Sequence, residues 1–168
     1  NLSNKNKIFL LIKNDILKFL KSFLMKQDIH KYSYKVEIIA GSDYYPGAAI
    51  LCSRAAHATG SGYIKLNFQT NDINLINNIN VSLPEVIVEK IDEDYDYWNI
   101  DKNNKTLIGP GVINENLNIK CNHSCIIDAG GFKSFKNISD FPQKSILTPH
   151  VGEVHQIFLN CKNIRSAL

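Results

Sequence analysis

Four short segments hold most of the residues whose types could do chemistry. Gly41-Ser42-Asp43-Tyr44-Tyr45-Pro46-Gly47-Ala48-Ala49 comes first, then Gly109-Pro110-Gly111, then Asp128-Ala129-Gly130-Gly131, and last Thr148-Pro149-His150-Val151-Gly152-Glu153. Glycine and alanine let a ligand come close to backbone, N–H groups at helix starts attract anions, and an imidazole can donate to a hydroxyl or a phosphate. A glycine after a strand commonly serves a turn and nothing more, so no single segment is informative by itself. Their coincidence at strand ends points to a binding cleft. The first segment is not a dinucleotide fingerprint, because Ser42 and Asp43 break the glycine spacing, and no Walker phosphate loop occurs.

The other chemical residue types read as structural. Cys121-x-His123-x-Cys125 has metal-ligand types, but tetrahedral sites usually use two-residue gaps and alternate positions suit the start of a strand better. Cys52 and Cys161 read as packing residues and His57 as part of a small-residue helix. The run from Asp92 to Asp96, interleaved with Tyr95, Tyr97 and Trp98, lacks the glycine turn and closing glutamate of a calcium loop. Residues 92–105 are expected to form a solvated loop or short helix, and no metal site is assigned.

Positioning such loops on one rim requires strands that alternate with helices. Val36-Glu37-Ile38-Ile39-Ala40 is a short β-branched run stopped by Gly41, and residues 46–59 then read as a helix. The alternation continues with strands at 63–68, 85–91, 106–108, 124–127 and 145–147. Helices are expected at 72–79, just after Ile113, around Phe132 and at 152–159. This pattern gives an α/β fold with a mainly parallel sheet, in which ligands sit beyond the carboxyl ends of the strands. Before it, residues 7–26 place Ile8, Leu11, Ile12, Ile16, Phe19, Leu20 and Phe23 on one helical face opposite Lys13, Lys18 and Lys21. That amphipathic helix is expected to pack on the sheet rather than to lie on a membrane or act as a targeting segment.

Composition narrows the classes further. The chain has 168 residues, 44% hydrophobic and 21% charged, with a net charge of +3, which suits one domain or a large piece of one. Of its 19 basic residues only Arg54 and Arg165 are arginine, too few of the planar forks that grip nucleic acid. No apolar run reaches the roughly 20 residues of a membrane span, and the irregular cysteines suit a reducing, cytoplasmic setting.

The same motifs, taken in order, resemble a known family. The opening motifs are Ala40-Gly41-Ser42, then Tyr45-Pro46-Gly47-Ala48-Ala49-Ile50-Leu51, then Gly60-Ser61-Gly62-Tyr63. They are followed by Leu83-Pro84-Glu85-Val86, Ile108-Gly109-Pro110-Gly111, Ile127-Asp128-Ala129 and Ile146-Leu147-Thr148-Pro149-His150-Val151-Gly152-Glu153. This series is similar to the ADP/ATP-dependent NAD(P)H-hydrate dehydratases, over residues 28–159. The resemblance implies a ribokinase-like three-layer α/β/α fold and a hydro-lyase that repairs hydrated NADH or NADPH. The ring hydroxyl is phosphorylated from ADP or ATP with Mg²⁺, and loss of phosphate restores the double bond. It further implies substrate contacts at Ala48, Gly111 and His150, a cleft lined by Ser42, Gly47, Gly109 and Asp128, and a homo-oligomer.

Two departures are visible. The family usually has G-P-G-L-G where this chain has Gly109-Pro110-Gly111-Val112-Ile113, and D-A-D-A-L where it has Asp128-Ala129-Gly130-Gly131-Phe132. The lysine loop and the G-T-G-D segment that carries the family's catalytic aspartate do not occur before Leu168. The expectation is therefore an N-terminal helix at 1–27 followed by a truncated dehydratase-like domain at 28–168, incomplete at its C-terminus. Whether this is a fragment, a truncated product or a decayed paralogue, the 168 residues alone are expected to be inactive and to leave an apolar face uncovered. The rival readings are another ribokinase-like small-molecule kinase and a non-catalytic or partner-dependent nucleotide-binding fragment.

Overall fold

The computed structural model describes residues 34–91, 98–99, 103–113, 119–121, 123–135 and 138–158. The chain divides into the units Asn1–His30 and Lys31–Leu168, and every described residue belongs to the second. The amphipathic helix at 7–26 and the short helix just after Ile113 lie outside the described residues.

Among the described residues, eight strands and three α-helices follow in the order β1 (Lys35–Ile39), α1 (Pro46–Ala58), β2 (Tyr63–Gln69), α2 (Ile73–Ser82), β3 (Ile87–Ile91), β4 (Trp98–Asn99), β5 (Lys105–Ile108), β6 (Ile119–Lys120), β7 (Ile126–Ile127), β8 (Ile146–Leu147) and α3 (Val151–Phe158). Six of these strands form one sheet in the order β3-β2-β1-β5-β7-β8. Every neighbouring pair in it is parallel. The expected mainly parallel sheet is thus wholly parallel, in an α/β fold. Among the described residues no helix is long and apolar enough to cross a membrane.

Local sequence explains the elements. Pro46 occupies the first turn of α1, where its missing N–H costs nothing. Asp72 caps α2 by accepting the Asn74 N–H at 2.8 Å. Strand alternation then sorts the core onto two faces. Ile38, Ile64, Leu66 and Phe68 pack with Ala49 of α1 and Ile76 and Ile79 of α2 on one face. Ile39, Ile108 and Ile127 pack with Phe132 and Phe135 on the other. Burial on both faces is why the strands read as β-branched runs.

Three parts of the sequence reading need correction. Residues 92–105, expected as loop or short helix, contain β4, which pairs in parallel with β6 as a separate small sheet, and the residues just before β5. A two-residue strand leaves no periodicity to read. The helix expected around Phe132 is a 3₁₀ segment, Ala129–Ser134, because its two glycines favour a tight turn over a long α-helix. The Cys121 to Cys125 stretch also lies between β6 and β7 rather than in a strand.

Glu37 departs from simple alternation, since a carboxylate on the central strand is only 4% exposed. Its Oε1 accepts from Asn67 Nδ2 and its Oε2 from Asn104 Nδ2, each at 2.9 Å. Lys65 Nζ stands 3.9 Å from Oε1 and 2.8 Å from Glu89. Burial works to lower the Lys65 ammonium, but the Glu89 and Glu37 carboxylates outweigh it and hold it above its ordinary value. Removing the carboxylate strands two buried amides, so Glu37→Ala should destabilise the protein by about 3 kcal/mol or more, and Glu37→Gln by less. Denaturant midpoints of the two variants check this ordering.

A second prediction concerns backbone contact. Gly109 has φ +117°, and a Cβ there would drive into the Asp128 carbonyl oxygen and the Gly131 nitrogen. Gly47, within α1, has nothing within 4 Å of the same added atom. Gly109→Ala should cost on the order of 3 kcal/mol, whereas Gly47→Ala should be neutral or stabilise by about 0.5 kcal/mol. Thermal and denaturant unfolding of both variants measure the contrast.

Candidate functional site

The chain leaves β1 toward β2 and β3 on one side, then returns to β5, β7 and β8 on the other. The strand order therefore reverses between β1 and β5, where a crevice opens beyond the strand ends. In register, Ile39 lies opposite Ile108. The first two glycine loops begin directly after this pair.

Hydrogen bonds stitch the four loops into one rim. The Gly109 N–H donates to the Ile39 carbonyl at 2.9 Å, and the Gly41 N–H donates to the Pro110 carbonyl at 2.7 Å. The Asp128 N–H donates to the Ile108 carbonyl at 2.9 Å, linking the second and third loops. Thr148 Oγ1 donates to Asp128 Oδ1 at 2.8 Å, linking the third and fourth. Asp128 thus spends its carboxylate on holding the rim together.

At the centre, Gly111 faces the start of α1. It has φ +72°, and a Cβ on it would lie 2.7 Å from the Ala48 Cβ and 3.1 Å from the Tyr45 carbonyl. A cavity of about 510 Å³ opens beside this contact, lined by Gly47, Ala48, Gly111 and also Tyr44, Tyr45, Pro46, Val112 and Ala129. That volume accommodates a heterocycle with its substituents. Three of the sequence-derived residues, Gly47, Ala48 and Gly111, therefore meet in one place. Gly109 lies behind them as the loop's close contact. Ser42 is 2% exposed, and its Oγ has no hydrogen-bond partner, so a buried hydroxyl is left unpaired at the switch point.

His150 is not among the residues that line this cavity. It caps α3: its Nδ1 accepts the Gly152 N–H at 3.0 Å and the Glu153 N–H at 3.4 Å. Glu153 answers by accepting the His150 N–H at 2.8 Å. This is a reciprocal cap with histidine in the place of serine or threonine. The arrangement leaves Nδ1 without a proton and puts it on Nε2, which stands 3.3 Å from Glu153 Oε1. The ring is 74% exposed, so it is not the buried histidine of a purely packing role.

Sequence reading placed Tyr44 and Tyr45 in the first loop but gave them no role. Tyr44 and Tyr45 are 78% and 57% exposed, and adjacent aromatics held in solvent on a strand-end loop are the available signal for stacking on a flat ligand. The two departures from the family pattern also meet in space. A Cβ on Gly130 would run into the Val112 carbonyl, so a side chain at 130 is incompatible with the path taken through Val112. Ile113, the other bulky replacement, is 40% exposed and does not line the cavity.

A second hollow, about 550 Å³, lies along the strands between Val36, Ile38, Cys52, Leu107, Ile126 and Ile146. Ile126 and Ile146 are 41% and 60% exposed there. It is away from the loop rim, and Thr59, Lys105, Thr106, Ser124 and Lys144 border its mainly apolar wall. Among the described residues no three His, Cys, Asp or Glu side chains converge to hold a metal ion.

Comparison with known proteins agrees with this geometry. Over residues 36–167 the chain matches the family described as NAD(P)H-hydrate dehydratase. It is 28% identical over 156 residues to the bifunctional NAD(P)H-hydrate repair enzyme of Thermofilum pendens, a match covering 79% of this chain and 29% of that protein. The ADP/ATP-dependent NAD(P)H-hydrate dehydratase of Bacillus subtilis, co-crystallised with ATP and Mg²⁺, superposes with a TM-score of 0.62 at 28% identity, covering 78% of this chain and 50% of that one. A ribokinase-like superfamily protein of Enterococcus faecalis shares the fold, with a TM-score of 0.59 at 19% identity over 84% of this chain and 55% of its own. The chain thus spans about half the length of these solved relatives. With the match running from β1 to beyond α3 and the family's glycine loops gathered on one rim, the chain belongs to the NAD(P)H-hydrate dehydratase family.

Proposed function

We propose that the protein carrying this sequence dehydrates hydrated NADH or NADPH at the expense of ADP or ATP, and that this chain forms the wall against which the hydrated nicotinamide ring lies. The observation that carries the reading is the meeting of Ala48 and Gly111 beside a cavity at the β1/β5 switch point. Family membership and the Bacillus enzyme crystallised with ATP and Mg²⁺ support the choice of reaction.

The chemistry divides into two steps. The ring hydroxyl attacks the terminal phosphorus of the nucleotide, forming a new P–O bond as the bond to the departing nucleotide breaks and the hydroxyl proton passes to a general base. The C–O bond to the resulting phosphate then breaks and the ring loses a proton, which restores the double bond. Phosphate leaves far more readily than hydroxide, which is what the nucleotide contributes. This chain orients the ring so that its hydroxyl faces the donor. Ala48 and Gly111 set the width of the slot, while Tyr44 and Tyr45 offer flat surfaces to a flat ligand. His150 contributes an Nε2–H fixed in tautomer by its cap and facing Glu153 Oε1, a donor suited to a ligand hydroxyl or phosphate oxygen.

Two variants of the whole protein test this. Ala48→Leu fills the slot and should raise KM for hydrated NADH at least about tenfold while leaving the fold intact. His150→Ala removes one hydrogen bond and part of a helix cap, so kcat/KM should fall about tenfold to a hundredfold and the melting temperature slightly. Reduced-nicotinamide absorbance, followed with ADP or ATP and Mg²⁺ present, reads the first quantity and thermal unfolding the second. An unchanged KM in Ala48→Leu removes the cavity from the site. An unchanged kcat/KM with a lowered melting temperature reduces His150 to a cap.

A further inference from the structure

The proposed reaction uses the His150 ring, which keeps one orientation and one tautomer although it is 74% exposed. An imidazole free to turn is a poor donor, because each half-turn or tautomer exchange puts an acceptor nitrogen where the donor stood. This ring is restrained from several sides. The Gly152 and Glu153 N–H groups both donate to Nδ1, at 3.0 and 3.4 Å. Gly152 lies against the ring itself, since a Cβ there would come within 2.9 Å of Cε1 and 3.2 Å of Nδ1. The Glu153 side chain is only 14% exposed. Its Oε2 accepts the His150 backbone N–H at 2.8 Å, and its Oε1 stands 3.3 Å from Nε2.

We propose that Glu153 is a positioning residue for the dehydration: its carboxylate holds the His150 ring as an Nε2–H donor, and it acts on the substrate through His150 alone. The proposal rests on the reading of His150 as a ligand contact. A backbone N–H and a ring N–H of His150 both point at this one side chain, and only a group that accepts at both ends can receive them together. A carboxylate does so. The amide of the same shape has one acceptor and one donor. In Glu153→Gln the amide oxygen can take the backbone N–H, which turns the NH₂ group on Nε2 and drives the ring proton toward Nδ1, where two helix N–H groups already point. Otherwise the oxygen takes the ring N–H, and the NH₂ group then opposes the backbone N–H and breaks the cap. Neither arrangement keeps the donor and the cap together.

The ring contact is also long. At 3.3 Å the separation of Nε2 from Oε1 exceeds the usual N–H···O range of about 2.7–3.2 Å. The carboxylate therefore orients the Nε2–H without sealing it. A hydroxyl or phosphate oxygen of the ligand can draw the same hydrogen with little movement of the ring, which stays pinned through Nδ1 and against Gly152.

A double-mutant cycle in the whole protein, read together with nitrogen-15 spectra of the histidine rings, tests this. Values of kcat/KM for hydrated NADH, with ADP or ATP and Mg²⁺, are measured for Glu153→Gln, His150→Ala and the two combined. The His150 ring signals are those lost in His150→Ala. The unsubstituted protein should show the proton on Nε2 and a bare Nδ1, and Glu153→Gln should show mixed or reversed tautomers. Glu153→Gln should lower kcat/KM about tenfold or more, yet change it by less than about twofold in the His150→Ala background. A loss that persists in that background means Glu153 acts by another route and overturns the proposal. An unaltered tautomer in Glu153→Gln overturns it too, as does an unchanged kcat/KM in Glu153→Gln while His150→Ala is impaired. An unchanged kcat/KM in His150→Ala removes His150 from the site and the proposal with it, and the ring spectra then show separately whether Glu153 still sets the tautomer. Should Glu153→Gln not fold, Glu153→Ala, which takes both acceptors away, is read in the same cycle.

Discussion

Between β5 and β7 the backbone of Gly109 presses against the Asp128 carbonyl and the Gly131 nitrogen with no room for a Cβ. That contact sets the height of the whole rim. It brings the second loop down far enough for the Gly109 N–H to reach Ile39 and for Pro110 to accept from Gly41, which in turn places Gly111 over Ala48. A side chain at 109 would lift the loop and separate the two residues that define the slot. The third loop is drawn in by the same constraint, because Asp128 both contacts Gly109 and accepts from Thr148. The four loops therefore behave as one unit built around close backbone contact.

Much of this was legible in the residues. The β-branched runs placed every strand of the main sheet within a few positions, since burial on both faces leaves a strong local signature. The glycine loops located the rim for the same reason. What escaped was short or non-local. β4 and β6 are each two residues long and pair across the chain, so neither carries a pattern of its own. Burial of Glu37 depends on Asn67 and Asn104, which lie 30 and 67 residues away. No local pattern tells a carboxylate on a strand that its partners will arrive from so far. The dual nature of His150 was also hidden, because T-P-H-x-G-E reads equally as a ligand loop and as a helix cap.

Function and structure share groups throughout the site. Asp128 holds two loops together, Glu153 fixes the backbone and ring of His150, and Gly130 accommodates the Val112 carbonyl. None of these needs to touch substrate to matter for the proposed site, since each fixes the geometry of a residue assigned to it. The other face of the argument is the apolar hollow along β5, β7 and β8. It is similar in size to the slot on the rim, yet volume alone does not make a site for a charged nucleotide. A helix start adds attraction for anions, and α1 begins beyond the carboxyl end of β1.

The most direct test of the account is a crystal structure of the whole protein soaked with hydrated NADPH. The account predicts density for the nicotinamide ring in the rim cavity, within van der Waals reach of about 4 Å from both Ala48 and Gly111, with its hydroxyl turned away from α1. Ring density in the hollow beside Leu107 and Ile126, with the rim cavity empty, would contradict it.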